Sequence, residues 1–182
     1  MRILGVDPGL AITGYGLVEV KEGQPLLLEA GVVKTRRGDA VETRLATLYE
    51  GLKEIMEEHR PDTVVIEEVY FEWGRPGAGI KIGHARGVLF LAAAKSGLPV
   101  ISYAATRIKK ALTGNGRASK EQVQRMTMAR LRLENLPGPK DVSDALAAAL
   151  CHCNASLVIS HLSLANGKRR KTNDRRQTGK PS

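Results

Sequence analysis

The sequence predicts an α/β fold built on one mixed sheet, in which an antiparallel meander joins parallel strands and helices flank both. Three observations predict it. A short apolar strand at 2–6 precedes two β-rich segments, near 13–20 and 26–34, which are parted by Glu22-Gly23-Gln24-Pro25 in a hairpin pattern. Beyond residue 40, helical periodicity alternates with short apolar strands. Thr63-Val64-Val65-Ile66 is an unbroken apolar run of strand length, the composition of a parallel strand buried on both faces.

Each element has its own signal. The first strand ends at Asp7, because Pro8-Gly9 breaks it into a turn, so Asp7 sits at a strand's C-terminal edge. From 41 to 56, Val41, Leu45, Leu48, Leu52, Ile55 and Met56 recur at helical spacing and form one apolar stripe that packs on the sheet. Pro61 ends that helix. The run at 63–66 then delivers Glu67 and Glu68 at its C-terminal end. A helix near 79–96 and a short strand at 99–103 follow. In that helix Ala85, Val88, Leu89, Phe90, Leu91, Ala92, Ala93 and Ala94 leave almost no polar face, so it needs cover on both sides, from the same subunit or from a second copy. Gly114-Asn115-Gly116 is a loop, and Ser119 with Gln122 three residues on is a capping-box signature for the next helix. The last helix begins just after Pro137-Gly138-Pro139. It carries Asp141 and Asp144 in its first turn and runs on through Ala145, Leu146, Ala149 and Leu150. No internal repeat is visible.

At 182 residues the chain supports one domain with a sizeable core, expected over 1–160, and a basic, disordered tail over 161–182. The net charge is +9, and the stretch from Asn166 onward supplies +6 of it through Lys168, Arg169, Arg170, Lys171, Arg175, Arg176 and Lys180 against Asp174 alone. That stretch has no large apolar residue after Leu164, so it buries nothing that offsets the entropy of ordering; phosphate contact is its expected role. No run of about 18 apolar residues could span a membrane. The opening MRILGVDPG reads as a strand and not as a cleavable signal, so a cytoplasmic location is expected. Cys151 and Cys153 flank His152 two apart on the last helix, where they point to different faces and serve as small core residues.

An acid at a strand end is usually a turn residue, and one near a helix start is usually a cap. The combination says more. Asp7 and one of Glu67 or Glu68 lie side by side if their strands are neighbours, and ligand sites in open α/β sheets lie beyond the carboxyl ends of the strands. Strand alternation lets only one of the two glutamates face Asp7, and parity leaves the choice open. Asp141 and Asp144, at i and i+3, share a helix face that can close over that edge. Converging carboxylates repel unless cations intervene, and their oxygens are the hard ligands that Mg²⁺ or Mn²⁺ prefer. Two such ions about 3.5 to 4 Å apart steady the entering and leaving oxygens of an in-line phosphoryl displacement, so phosphodiester hydrolysis is the natural reaction.

ILGVDPGLAITGYG, VIEEVY, KIGHARGV, SYAATRIKKAL, GNGRASKEQVQ and DVSDALAAALCH run in order from residue 3 to about 153. Together they resemble the successive motifs of the RuvC family of bacterial Holliday junction resolvases, which have a ribonuclease-H-like fold. The resemblance implies that Asp7, Glu67, Asp141 and Asp144 are metal-binding catalytic acids, with two Mg²⁺ or Mn²⁺ ions per site. It implies that Lys109 and Lys120 lie near the scissile phosphate and that Tyr70 faces the junction; Phe71, Lys81 and Arg117 join them as candidate DNA contacts. It further implies a homodimer that cuts two opposed strands of a four-way junction, leaves ligatable nicks, and works with RuvA and RuvB. One stretch departs from the family: FEWGRPGAGI at 71–80 stands where an Asn-containing segment is usual, which leaves base preference open. Tyr70, Phe71 and Trp73 place three of the seven aromatic residues within four positions, in a loop expected at the mouth of the site.

Other readings are a monomeric ribonuclease-H-like enzyme that cuts RNA or a hybrid, an actin-like ATPase, and a module that holds branched DNA without cutting it. The ATPase reading rests on GVDPG with Thr13-Gly14 as a phosphate-binding turn, but it needs a second such domain. Against the non-cutting module stand the four acids, which weaken phosphate binding unless metals intervene.

Overall fold

The computed structural model describes residues 1–68 and 76–156. Its strands are β1 (Arg2–Asp7), β2 (Ile12–Lys21), β3 (Gln24–Lys34), β4 (Thr63–Glu67) and β5 (Val100–Tyr103). The helices are α1 (Val41–His59), α2 (Pro76–Lys95), α3 (Ala105–Thr113), α4 (Lys120–Leu131) and α5, which covers 140–156. The strands form one sheet in the order β3-β2-β1-β4-β5. β2 pairs antiparallel with both β1 and β3, while β4 pairs parallel with both β1 and β5. This is the mixed sheet the sequence predicts. The β2–β3 turn is made by Glu22 and Gly23, both at positive φ, which matches the twist of a two-residue hairpin.

Strand alternation divides the core into two faces. On one, Leu4, Val6, Leu17, Val64 and Ile66 pack against Leu52 and Met56 of α1 and Leu89, Ala92 and Ala93 of α2. On the other, Ile3, Val18 and Val65 pack against Ile108 of α3, Val123 of α4, and Val142, Leu146 and Leu150 of α5. The capping box at the start of α4 is present in full: the Gln122 N–H donates to Ser119 Oγ, and the Ser119 N–H donates to Gln122 Oε1. α3, by contrast, is not among the elements expected from the sequence. It is only nine residues long, although its two buried side chains, Ile108 and Leu112, stand one helical turn apart on an otherwise polar segment.

α5 lies directly on β1 and β2 because three glycines let it. A Cβ on Gly5 would overlap the Ala145 carbonyl, one on Gly14 the backbone of Asp141, and one on Gly16 the side chain of Leu146. Cys151 and Cys153 are free and buried in this helix, and burial pushes their thiols up to about 11 and about 12, so both are core residues as expected. Among the described residues α2 is covered on one side: Ala85, Leu89, Ala92 and Ala93 are buried, while Ile80, Phe90 and Leu91 are 54%, 41% and 50% exposed. The expected aromatic loop, with Tyr70, Phe71 and Trp73, and the expected basic tail at 161–182 both lie outside the described residues. Among the described residues no helix is long and apolar enough to cross a membrane.

Candidate active site

β1 and β4 are adjacent and parallel, with Val6 opposite Ile66. Asp7 and Glu67 are each one residue further on, so both acids stand at the carboxyl edge of the sheet. Alternation places them on the face of Ile3 and Val65, under α5. Glu67 is half-buried there, whereas Glu68, sent the other way, is exposed. The turn after Asp7 is held by the buried Thr13, whose hydroxyl accepts from the Gly9 N–H (3.2 Å) and donates to the Gly9 carbonyl (2.9 Å). Thr13 therefore fixes Asp7's exit and is not free for a phosphate. Gly14 next to it admits the first turn of α5, which brings Asp141 and Asp144 over the edge.

The electrostatics record this convergence. Asp7 is pushed up to about 7, first by burial and then by the negative charges of Asp144, Asp141 and Glu67, against the opposing pull of Lys120. Glu67 is also raised, by burial and by Asp144, while Lys120 and Lys109 oppose the shift. Lys120 donates from Nζ to Asp144 Oδ2 at 3.1 Å, and this bond raises the lysine in turn. Glu67, Asp144, Lys109 and Lys120 line a cleft of about 140 Å³ whose floor includes Ile108 and Val123. Six of the residues singled out from the sequence thus meet in one place. Lys81 on α2 and Arg117 before α4 are exposed; the Arg117 N–H is tied to Asn115 Oδ1 at 2.9 Å. Tyr70 and Phe71 fall outside the described residues.

A divalent cation fits the donor chemistry of this cluster. Four carboxylates supply hard oxygen ligands, and an acid pushed up to about 7 by burial and by its acidic neighbours is relieved by added positive charge. No three of the described acids already enclose one ion position, so the fit is one of charge and ligand type and not of a closed cage. Two features escaped the sequence reading. One is the glycine seat of α5. The other is Arg86, within the KIGHARGV stretch, whose Nη1 donates to the Glu67 carbonyl at 2.5 Å. Its motif was visible, but nothing in the sequence shows which backbone group it meets.

A β3-β2-β1-β4-β5 mixed sheet with acids at the ends of β1 and β4, roofed by an acidic helix, places the molecule in the ribonuclease-H-like class of nucleases. The family model for crossover junction endodeoxyribonuclease RuvC matches residues 3–152, and the chain belongs to that family. The RuvC crossover junction endodeoxyribonuclease of Moorella thermoacetica is 49% identical over 85% of this chain and 92% of its own length. That of Rhodopirellula baltica is 47% identical over 82% of this chain and 84% of its own. Among solved structures, Thermus thermophilus RuvC in complex with Holliday junction substrate superposes with a TM-score of 0.81 at 35% identity, covering 86% of this chain and 94% of that one. The yeast mitochondrial Holliday junction resolvase Ydc2 shares the fold, with a TM-score of 0.65 at 14% identity over 87% of this chain and 80% of its own.

Proposed function

We propose that the chain is a homodimeric, divalent-metal-dependent endonuclease that resolves four-way DNA junctions by two symmetric phosphodiester hydrolyses, in recombination and repair. One observation carries the reading. Asp7, raised to about 7 by burial and by Asp144, Asp141 and Glu67, is the centre of an acid cluster flanked by two lysines. Asp7, Glu67, Asp141 and Asp144 would hold two Mg²⁺ or Mn²⁺ ions. Bound there, the ions supply Lewis-acid stabilisation of an in-line displacement at phosphorus. Lys109 and Lys120, on the cleft wall, offset the charge that gathers on the scissile phosphate. Lys120 keeps its proton through its bond to Asp144, so it acts as a fixed cation rather than a base.

Several features support the wider assignment. The T. thermophilus relative is known in complex with Holliday junction substrate. The exposed apolar side of α2, with Ile80, Phe90 and Leu91, suits pairing with a second copy about a two-fold axis, which would present two equivalent sites to a two-fold substrate. A Cβ at Gly83 or Gly87 on the same helix would meet nothing within 4 Å, so a partner can approach closely. Tyr70, Phe71, Lys81 and Arg117 are the proposed further DNA contacts, residues 1–160 the proposed nuclease domain, and 161–182 a phosphate-binding tail. RuvA and RuvB are the proposed partners, and the cytoplasm the proposed location. The test is incubation with a synthetic four-way junction, with and without Mg²⁺ or Mn²⁺, beside linear duplex and RNA–DNA hybrid. Cation-dependent cutting of the junction alone is expected; preferential cutting of the hybrid would refute the assignment.

A further inference from the structure

The end of β4 has an unfilled hydrogen-bonding position, and a helix from the opposite layer fills it. The Glu68 N–H donates to the Tyr103 carbonyl at 2.8 Å, so that side of the strand faces β5. In a parallel sheet successive residues face opposite neighbours, which turns the N–H and C=O of Glu67 toward β1. On that side β1 ends at Asp7, and the next residue, Pro8, has no N–H to give. The Glu67 carbonyl is therefore left without a ladder donor at the place where a half-buried acid must be held still. A carbonyl left unsatisfied in such a position is destabilising, so a donor from elsewhere is favoured there.

Arg86 supplies the missing donor. Its Nη1 lies 2.5 Å from the Glu67 carbonyl, and a charged donor makes this bond stronger than the amide bond it replaces. The guanidinium also stacks with its Cζ 5.5 Å from the centre of the Phe90 ring; burial lowers it from its ordinary value, and the Glu68 charge opposes that shift. The peptide between Glu67 and Glu68 is thus gripped from two directions, by β5 through its N–H and by α2 through its C=O. We propose that Arg86 is a positioning residue for the active site: by holding the peptide that carries Glu67, it sets where the Glu67 carboxylate meets Asp7 and Asp144. It acts through the backbone and touches neither DNA nor reacting atoms. Because α2 also presents the outer apolar face, Arg86 ties that face to a catalytic acid. A shift of about 1 Å in such a group can cost about a hundredfold in rate, so a bond far from the phosphate still matters.

This inference rests on Glu67 being a catalytic acid, and the experiment separates the two claims. Arg86→Ala, Arg86→Lys and Glu67→Gln are compared in the full-length protein. The readouts are single-turnover junction cleavage, Mn²⁺ binding by electron paramagnetic resonance, and junction affinity in Ca²⁺. Arg86→Ala should cut at least about tenfold more slowly and bind Mn²⁺ about tenfold more weakly, with junction affinity within about twofold of wild type. Arg86→Lys, which can offer one donor to the same carbonyl, should fall between. Wild-type Mn²⁺ affinity and rate in Arg86→Ala overturn the proposal, and so does a loss of junction affinity that matches the loss of rate, since Arg86 would then be a DNA contact. If circular dichroism shows Arg86→Ala unfolded, Arg86→Lys decides: weakened Mn²⁺ binding at unchanged junction affinity supports the role, and wild-type Mn²⁺ binding removes it. Should Glu67→Gln itself cut at the wild-type rate, the acid assignment fails independently of Arg86.

Discussion

Glu67 and Glu68 are the same residue type one step apart, and the strand gives them different fates. Glu67 lies half-buried beside Asp144 and Lys109, whereas Glu68 is exposed on the other side near Arg86. Glu67→Gln should abolish cleavage with junction binding intact, while Glu68→Gln should cut at close to the wild-type rate; the opposite pattern in a gel-based cleavage assay refutes the assignment. Asp7 allows a test that needs no substrate. Its folded-state carboxyl is raised from 3.8 to about 7, so ionising it costs the metal-free fold. That cost is absent below about pH 4, grows as pH rises, and is complete above about pH 7. Asp7→Asn should therefore stabilise the metal-free protein at pH 8 by up to about 4 kcal/mol and give no gain at pH 4. Denaturant titrations in a metal chelator measure both, and equal stability of the two proteins at pH 8 would contradict the clustering of acids. Strand alternation alone narrowed the strand-end acid to two candidates, and the motif resemblance singled out Glu67. The physical difference between them, which of the two lies under α5, depends on a helix about 75 residues further along the chain.

At the scale of elements, α5 brings two acids to the edge of two strands, and its seat is made of absent side chains. Gly14 meets the backbone of Asp141 itself, so Gly14→Ala must push the first turn of α5 outward. Cleavage should fall more than about tenfold, with a modest drop in melting temperature, because the displaced group is a proposed metal ligand and not part of the core. Wild-type cleavage by a folded Gly14→Ala protein would show that Asp141 does not need this seat. What was legible follows from the range over which each signal acts. The strand ending at Asp7, the apolar run before Glu67, the stripe from Val41 to Met56 and the Ser119–Gln122 box are local patterns, and each marks its element where the structure has it. Gly5, Gly14 and Gly16 answer a helix more than a hundred residues away, and Arg86 answers a carbonyl orphaned by Pro8. Neither requirement leaves a periodic trace, because each arises only once distant segments pack.

At the scale of the molecule, the helix–sheet–helix layers put the acid cluster at one edge of the sheet, and among the described residues nothing covers the outer side of α2. A bare apolar helix face and an acid-rich site make sense together if two copies pair and offer two sites to one branched substrate. Much of the chain's positive charge belongs to the segment from Asn166 onward, so the body carries only about +3, and shape rather than bulk charge must select the junction. The most direct test uses a supercoiled plasmid bearing an extruded cruciform, which reports the number of cuts in one binding event. With Mg²⁺ or Mn²⁺ the wild-type protein should convert it straight to linear DNA with ligatable ends; without the cation, or with Glu67→Gln, the plasmid should stay supercoiled. Nicked circles as the lasting product, linearisation without a divalent cation, or equal attack on plasmid lacking the cruciform would each contradict paired, metal-dependent cutting by the Asp7–Glu67–Asp141–Asp144 cluster.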